Sequence, residues 1–192
     1  MPIFLARHPQ PATHGQGLCI GQTDVGLSPA GEAALDGLAG ELAQELRPER
    51  ILTSDLKRCR LLADAVGARS GARVEADPVW REVDFGDWEG RSWEEIHAEN
   101  SPSYNAWTAD FVHAAPPGGE SLFQLSLRVQ KALRETCQGG EDARILIVTH
   151  AGVIRALCAP SLEKAFDYEV AYGSWRSIER NPHELLCGDN TK

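Results

Sequence analysis

The sequence lacks any apolar run close to the ~18–20 residues that a membrane-crossing helix needs, so no segment is expected to span a bilayer. It lacks an excess of basic residues. Nineteen Lys and Arg stand against 28 Asp and Glu, a net charge of −9, which argues against a nucleic-acid or anionic-membrane partner. An anionic small substrate stays open, because a pocket can be locally positive on an acidic protein. Paired cysteines are also missing: the five, at 19, 59, 137, 158 and 187, are odd in number and form no C-x-x-C. A disulfide framework is therefore not expected, the cytoplasm is the expected compartment, and the thiols read as small packing residues. The apolar stretch Pro2–Ala6 has no basic segment before it and is cut off by Arg7 and His8, too short for a signal peptide. There is no internal repeat, low-complexity tract or long linker. The six histidines (8, 14, 97, 113, 150 and 183) are scattered rather than set at ligand spacing, so no metal is expected. His97, His113 and His183 read as surface residues.

What is present is an alternation of strand and helix patterns along 192 residues, enough for one domain. Residues 2–6 read as a short strand. Ser28-Pro29 reads as an N-cap followed by proline at the first helical position, and Leu35, Leu38, Leu42 and Leu46 give a helix face to about Pro48. Arg50–Thr53 reads as a strand, Asp55 to about Val66 as a helix ended near Gly67, and 72–76 as a strand. Two short helices are expected near 92–99 and 103–111, in a region with four of the five tryptophans. Leu122 to about Cys137 reads as a helix. Ile145-Leu146-Ile147-Val148 is a continuous apolar run, the mark of a strand covered on both faces. Val153–Ala159 reads as a helix, and 166–179 as one or two further strands. The pattern predicts an α/β fold, a three-layer α/β/α sandwich with a mostly parallel central sheet. Residues 1–180 form one domain in this reading, with a helical lid insertion near 92–120 and a C-terminal tail over 181–192.

Three strand ends carry chemistry. Arg7-His8 closes the first strand; by itself it could be a surface pair. Thr149-His150-Ala151-Gly152 follows the most apolar strand and opens a helix, whose free N–H groups favour an anion; by itself His150 could be a simple cap. Arg58 falls in the first turn of a helix, where a cation opposes the helix dipole unless an anion is bound; an i, i+3 pair with Asp55 is the plain alternative. In one parallel sheet these ends share an edge. Two guanidiniums, two imidazoles and a helix N-terminus then converge, and phosphate is the anion whose oxygens match such donors. The acidic string Glu82 to Glu89 offers a general acid if one carboxyl is walled by apolar rings. Asp87 and Glu89 read as a solvated loop.

Taken in order, Leu5-Ala6-Arg7-His8, Gly21 through Gly31, Thr53 through Cys59, Glu82 with Asp84-Phe85-Gly86-Asp87-Trp88-Glu89-Gly90, Gly118-Gly119-Glu120-Ser121 and Thr149-His150-Ala151-Gly152 resemble the histidine phosphatase superfamily, the phosphoglycerate-mutase-like family. The likeness runs from about residue 3 to 178. Within it, the Asp84–Gly90 string and the compact length most resemble the α-ribazole phosphatase branch, which serves the cobalamin nucleotide loop. The resemblance implies a metal-independent phosphomonoesterase without cofactor, acting on a small phosphorylated metabolite, and it leaves room for a homodimer. It implies that His8 is the nucleophile and that Arg7, Arg58 and His150 hold the phosphoryl oxygens. Glu82 is then the general acid and later the base, and Gly21 and Gln22 lie where related enzymes touch substrate.

Two departures stand out. Pro9 replaces the glycine that the family places after the nucleophile, and so removes an amide donor. His14 stands near the position where the mutase branch has a phosphate-binding Asn, and is expected to supply a replacement donor. The mechanism expected here needs His8 neutral, with Arg7 and Arg58 pushing its pKa down, His150 protonated, and Glu82 raised by burial among aromatic residues. Two alternatives accompany it: a cofactor-dependent phosphoglycerate mutase, disfavoured by the short chain, and a catalytically silent phospholigand-binding protein on the same fold.

Overall fold

The computed structural model describes residues 2–99, 101–138, 143–180 and 185–188, with side chains through residue 178. The strands are β1 (Ile3–Arg7), β2 (Arg50–Thr53), β3 (Arg73–Ala76), β4 (Ile145–Thr149), β5 (Trp175–Arg180) and β6 (Leu185–Gly188). The helices are α1 (Pro29–Leu46), α2 (Lys57–Ser70), α3 (Trp93–Ala98), α4 (Pro102–Ala109), α5 (Leu122–Gln138) and α6 (Ala151–Cys158). One sheet forms in the order β3-β2-β4-β1-β5-β6. The first four strands run parallel, while β5 pairs antiparallel with β1 and with β6.

Side-chain alternation sets the three layers. Leu5, Leu52, Ile145 and Ile147 face α5 and α6, meeting Leu125, Val129, Leu133 and Ile154. Ala6, Ile51, Leu146 and Val148 face α1 and α2, meeting Leu42, Leu46, Cys59, Leu62 and Val66. All five residues of β4 are buried, as its unbroken apolar run requires.

Local chemistry fixes the helix ends. The Ser28 hydroxyl accepts from the Gly31 amide with Pro29 at the first turn, and α1 stops at Arg47, whose φ of 46° is left-handed. Helix α2 departs from the expected boundary. It runs through Gly67, which is glycine because a Cβ there would lie 2.5 Å from Val74 Cγ2, and stops at Gly71 with φ +76°. It also starts later, at Lys57, which leaves Asp55 outside it. In 166–179 the only strand among the described residues begins at Trp175, and the tail expected over 181–192 is interrupted by β6; its remaining residues lie outside those described.

Candidate active site

Hydrogen bonds lace together the C-terminal ends of three neighbouring strands. The His8 amide donates to the Thr149 carbonyl at 3.1 Å, and the Ser54 amide to the Val148 carbonyl at 3.1 Å. Arg7-His8, Ser54 and His150 thereby meet at one sheet edge. His8 is 4% exposed, Arg58 2% and His150 fully buried, so this is an interior site. The two imidazole centroids lie 5.1 Å apart, nearly edge to face.

Each charged group is held from behind. His8 Nδ1 lies 2.6 Å from the Pro9 carbonyl. A carbonyl can only accept, so the proton sits on Nδ1 and Nε2 keeps its lone pair. Pro9 has no amide hydrogen, yet its carbonyl orients the His8 ring. Arg58 donates to the Thr23 carbonyl at 2.8 Å and to the Gly21 carbonyl at 2.5 Å, and the alternative pair with Asp55 is absent. Asp55 instead takes a two-pronged bond from Arg81 at 2.6 and 2.5 Å, which holds its carboxyl below the usual range. Arg7 donates to the Val170 carbonyl at 2.5 Å and stacks 3.7 Å from the centre of the Tyr172 ring. Its Nε is buried without a hydrogen-bond partner. His150 Nε2 lies 2.9 Å from the Ser54 hydroxyl and 3.4 Å from Cys59 Sγ. Burial pushes the Cys59 thiol up, so it stays protonated.

Burial also holds His8 well below an ordinary histidine, reinforced by Arg58 and Arg7. His150 is depressed in the same way, by burial and then by His8, Arg58 and Arg7. This corrects the expectation of a protonated His150: without an anion beside it, the ring is neutral. A second correction concerns the N-terminus of α6. The group that occupies it is the Glu82 carboxyl, whose oxygens accept from the Gly152 amide at 3.0 Å and from the amide of its own neighbour Val83 at 3.0 Å. Glycine at 152 is what lets Glu82 keep this place, since a Cβ would fall 2.1 Å from Glu82 Oε1 and push that side chain aside.

Two cavities meet at Glu82 and Arg7. One, of about 390 Å³, is polar and includes His8, Arg58, His14 and Tyr172 in its walls. The other, of about 240 Å³, is aromatic, with Phe85, Trp93, Trp107, Phe111 and Phe166 beside Arg155. Trp93 and Trp107 stack at 5.6 Å, whereas Trp80 and Trp88 are buried packing residues. His14 is exposed at the rim, its ring edge-on to Tyr172. Gly21 and Gln22 act behind the cavity: the Gly21 carbonyl holds Arg58, Gln22 Nε2 donates to the Glu82 carbonyl at 3.2 Å, and nearby Leu18 and Ile20 form the wall.

Sequence reasoning missed Ser54, Tyr172, Arg155 and Glu89. For Glu89 it was mistaken. That side chain is half-buried and accepts from three consecutive amides of 21–23, while Asp87 is exposed as expected. Among the described residues no group of three or more His, Cys, Asp or Glu is placed to hold a metal, and no helix is long and apolar enough to cross a membrane. Cys19, Cys59 and Cys137 are free.

A parallel sheet whose strand ends deliver two buried histidines and two arginines to one cleft defines a known class, and the chain belongs to it: the model of the histidine phosphatase superfamily (branch 1) matches residues 3–187. Among its relatives, the adenosylcobalamin/alpha-ribazole phosphatase of Escherichia coli (strain K12) is 29% identical over 94% of this chain and 91% of its own. The glucosyl-3-phosphoglycerate phosphatase of Mycolicibacterium vanbaalenii is 33% identical over 83% of this chain and 73% of its own. The crystal structure of the alpha-ribazole phosphatase from Shigella flexneri superposes with a TM-score of 0.86 at 27% identity, covering 98% of this chain and 95% of that one.

Proposed function

We propose that this chain is a metal-independent phosphomonoesterase that works through a phosphohistidine at His8. The observation that carries the reading is the junction: Glu82 and Arg7 border both cavities, so an ester whose phosphoryl group enters the polar one and whose alcohol enters the aromatic one has its scissile bond beside Glu82. Arg7, Arg58 and His150 hold the phosphoryl oxygens, and the unpartnered Arg7 Nε supplies a donor already stripped of water. His8 Nε2 attacks phosphorus and forms the N–P bond as the P–O bond to the alcohol breaks. Glu82 in its acid form gives its proton to the leaving oxygen. Water then attacks the phosphohistidine, its proton passes to the Glu82 carboxylate, and the N–P bond breaks to release phosphate. The transition state is loose, so positioning and fixed positive charge supply most of the acceleration. His14, at the rim of the polar cavity, adds a donor to the same oxygens. The 92–120 segment serves as a lid, since Trp93 and Trp107 close the aromatic side.

For the leaving alcohol, an indole-rich wall favours a flat ring, which supports α-ribazole 5'-phosphate as the first substrate to test. A second reading is favoured by Arg155. Its Nε donates to the Tyr168 carbonyl at 3.1 Å, it lies 5.8 Å over Phe166, and no carboxylate among the described residues pairs with it. A cation in an apolar wall suits an alcohol bearing a carboxylate, as in esters of phosphoglyceric acid.

The decisive test is rapid-quench trapping of acid-labile, base-stable phosphate on His8, with p-nitrophenyl phosphate turnover in native and His8→Ala proteins. Turnover that His8→Ala abolishes, that EDTA leaves intact and vanadate blocks, supports the mechanism. Activity lost to EDTA and restored by Mg²⁺, or equal in His8→Ala, overturns it. A phosphomonoester panel on native and Arg155→Met protein then separates the two alcohols, and 3-phosphoglycerate with a bisphosphoglycerate primer tests for mutase activity. His14→Ala is expected to lower kcat/KM; no change removes His14 from the site.

A further inference from the structure

The mechanism leaves one half-buried charge unused. Glu89 lines neither of the cavities described above, yet its carboxylate is among the most heavily bonded in the molecule. Oε1 accepts from the Gln22 amide at 2.8 Å and the Phe85 amide at 3.2 Å. Oε2 accepts from the Thr23 amide at 3.0 Å and the Thr23 hydroxyl at 2.5 Å. The Gly21 amide reaches both oxygens at 3.1 Å. Burial alone would raise this carboxyl, but the donors from Thr23, Gln22, Phe85 and Gly21 outweigh it and hold the group below the usual range.

The consequence lies on the far side of the same loop. The Gln22 amide turned toward Glu89 leaves the Gly21 carbonyl, in the same peptide unit, turned away from it and onto the Arg58 guanidinium, and Thr23, which Glu89 holds by its amide and hydroxyl, gives Arg58 its other carbonyl. The loop has little freedom to settle elsewhere, because Gly21 lies so close to the 82–89 segment that a Cβ would stand 2.0 Å from the Val83 carbonyl and 2.5 Å from Glu89 Oε1. We propose that Glu89 is the positioning residue of the phosphate site, a carboxylate that holds three successive residues by their amides so that the carbonyls of Gly21 and Thr23 aim Arg58 at the phosphoryl oxygens. The proposal rests on the reading of Arg58 as a phosphate ligand. The negative charge is essential to it: a glutamine has one acceptor oxygen, and its NH₂ would face donors where the second carboxylate oxygen faced them. Charge-assisted bonds are about twice as strong as neutral ones, and unmade buried donors carry their own penalty.

The test is a double-mutant cycle read as vanadate affinity and as kcat/KM for p-nitrophenyl phosphate. Glu89→Gln is expected to weaken vanadate about tenfold in the native background and less than about twofold in Arg58→Ala, because the contribution passes through Arg58. A merely structural role would lower the melting temperature in both backgrounds without that coupling. Equal weakening in both backgrounds, or undiminished affinity in folded Glu89→Gln, overturns the proposal. If Arg58→Ala itself leaves vanadate binding unchanged, the reading of Arg58 fails first, and the cycle shows which failed. Should Glu89→Gln not fold, Thr23→Val removes one bond to the carboxylate and leaves the charge in place. It is then expected to weaken vanadate two- to threefold only when Arg58 is present, and no such dependence overturns the proposal.

Discussion

At the scale of single residues, the site works by having its protons placed in advance. The Pro9 carbonyl fixes the His8 tautomer, and burial with Arg58 and Arg7 keeps the ring unprotonated. An ordinary histidine would lose its nucleophilic lone pair as pH falls through about 6.5. The depressed pKa moves that loss to lower pH, so the acid limb of the kcat/KM profile for p-nitrophenyl phosphate is expected well below 6.5; a limb at or above that value contradicts it. Gly152 makes a sharper case. Alanine there would force its Cβ into Glu82, so Gly152→Ala is expected to lower kcat by about a hundredfold or more, the usual worth of a general acid. Alanine is also the better helix former by up to about 1 kcal/mol, so the melting temperature should hold or rise while turnover falls. A kcat within threefold of native would contradict the reading that turnover depends on this placement of Glu82. Arg7, His8, Arg58 and His150 were legible in the sequence because each ends or opens an element, and Glu82, in a loop, because the resemblance marked it. Glu89 was not, since nothing in its order along the chain shows that three amides some 66–68 positions earlier point at it.

At the scale of elements, α5 anchors the segment bearing the proposed general acid although it contains none of the proposed catalytic side chains. Arg128 on that helix donates to the Val79 carbonyl at 2.6 Å and the Arg81 carbonyl at 3.2 Å, and pairs with Glu120 at 2.5 Å. It thus anchors the segment bearing Glu82. Arg128→Met is expected to lower kcat ten- to hundredfold through misplacement of Glu82, with vanadate affinity within twofold because His8 and Arg58 stand on other elements. Comparable losses in both quantities would contradict this division. The strands and long helices were readable from apolar runs and from the Ser28 cap. The end of α2 was not, because Gly67 looks like a stop in one dimension and proves to be a contact with Val74 in three. Likewise β6 gains its order from pairing with β5, a property of two segments rather than of its own residues.

At the scale of the whole molecule, a net charge of −9 surrounds a core that keeps two histidines uncharged. Their native pKa values lie below the unfolded value of about 6.5, so the unfolded chain binds more protons in the interval between. Stability is then full above about pH 6.5, falls as pH drops beneath it, and levels off once the native pKa values are passed. The melting temperature is expected to decline from pH 7.5 to 5.5, and to decline less in a His8→Asn, His150→Asn double variant; parallel declines would assign the effect elsewhere. Asp55 and Glu89, both held low, add their own losses only in the more acidic carboxylate range. The two adjoining hollows have a further consequence. Phe111 and Phe166 border only the aromatic hollow, proposed to take the alcohol, and His8 and Arg58 only the polar one, proposed to take the phosphoryl group. Descendants of such a protein could therefore exchange one released partner for another by repainting a single wall, with the reaction itself inherited unchanged.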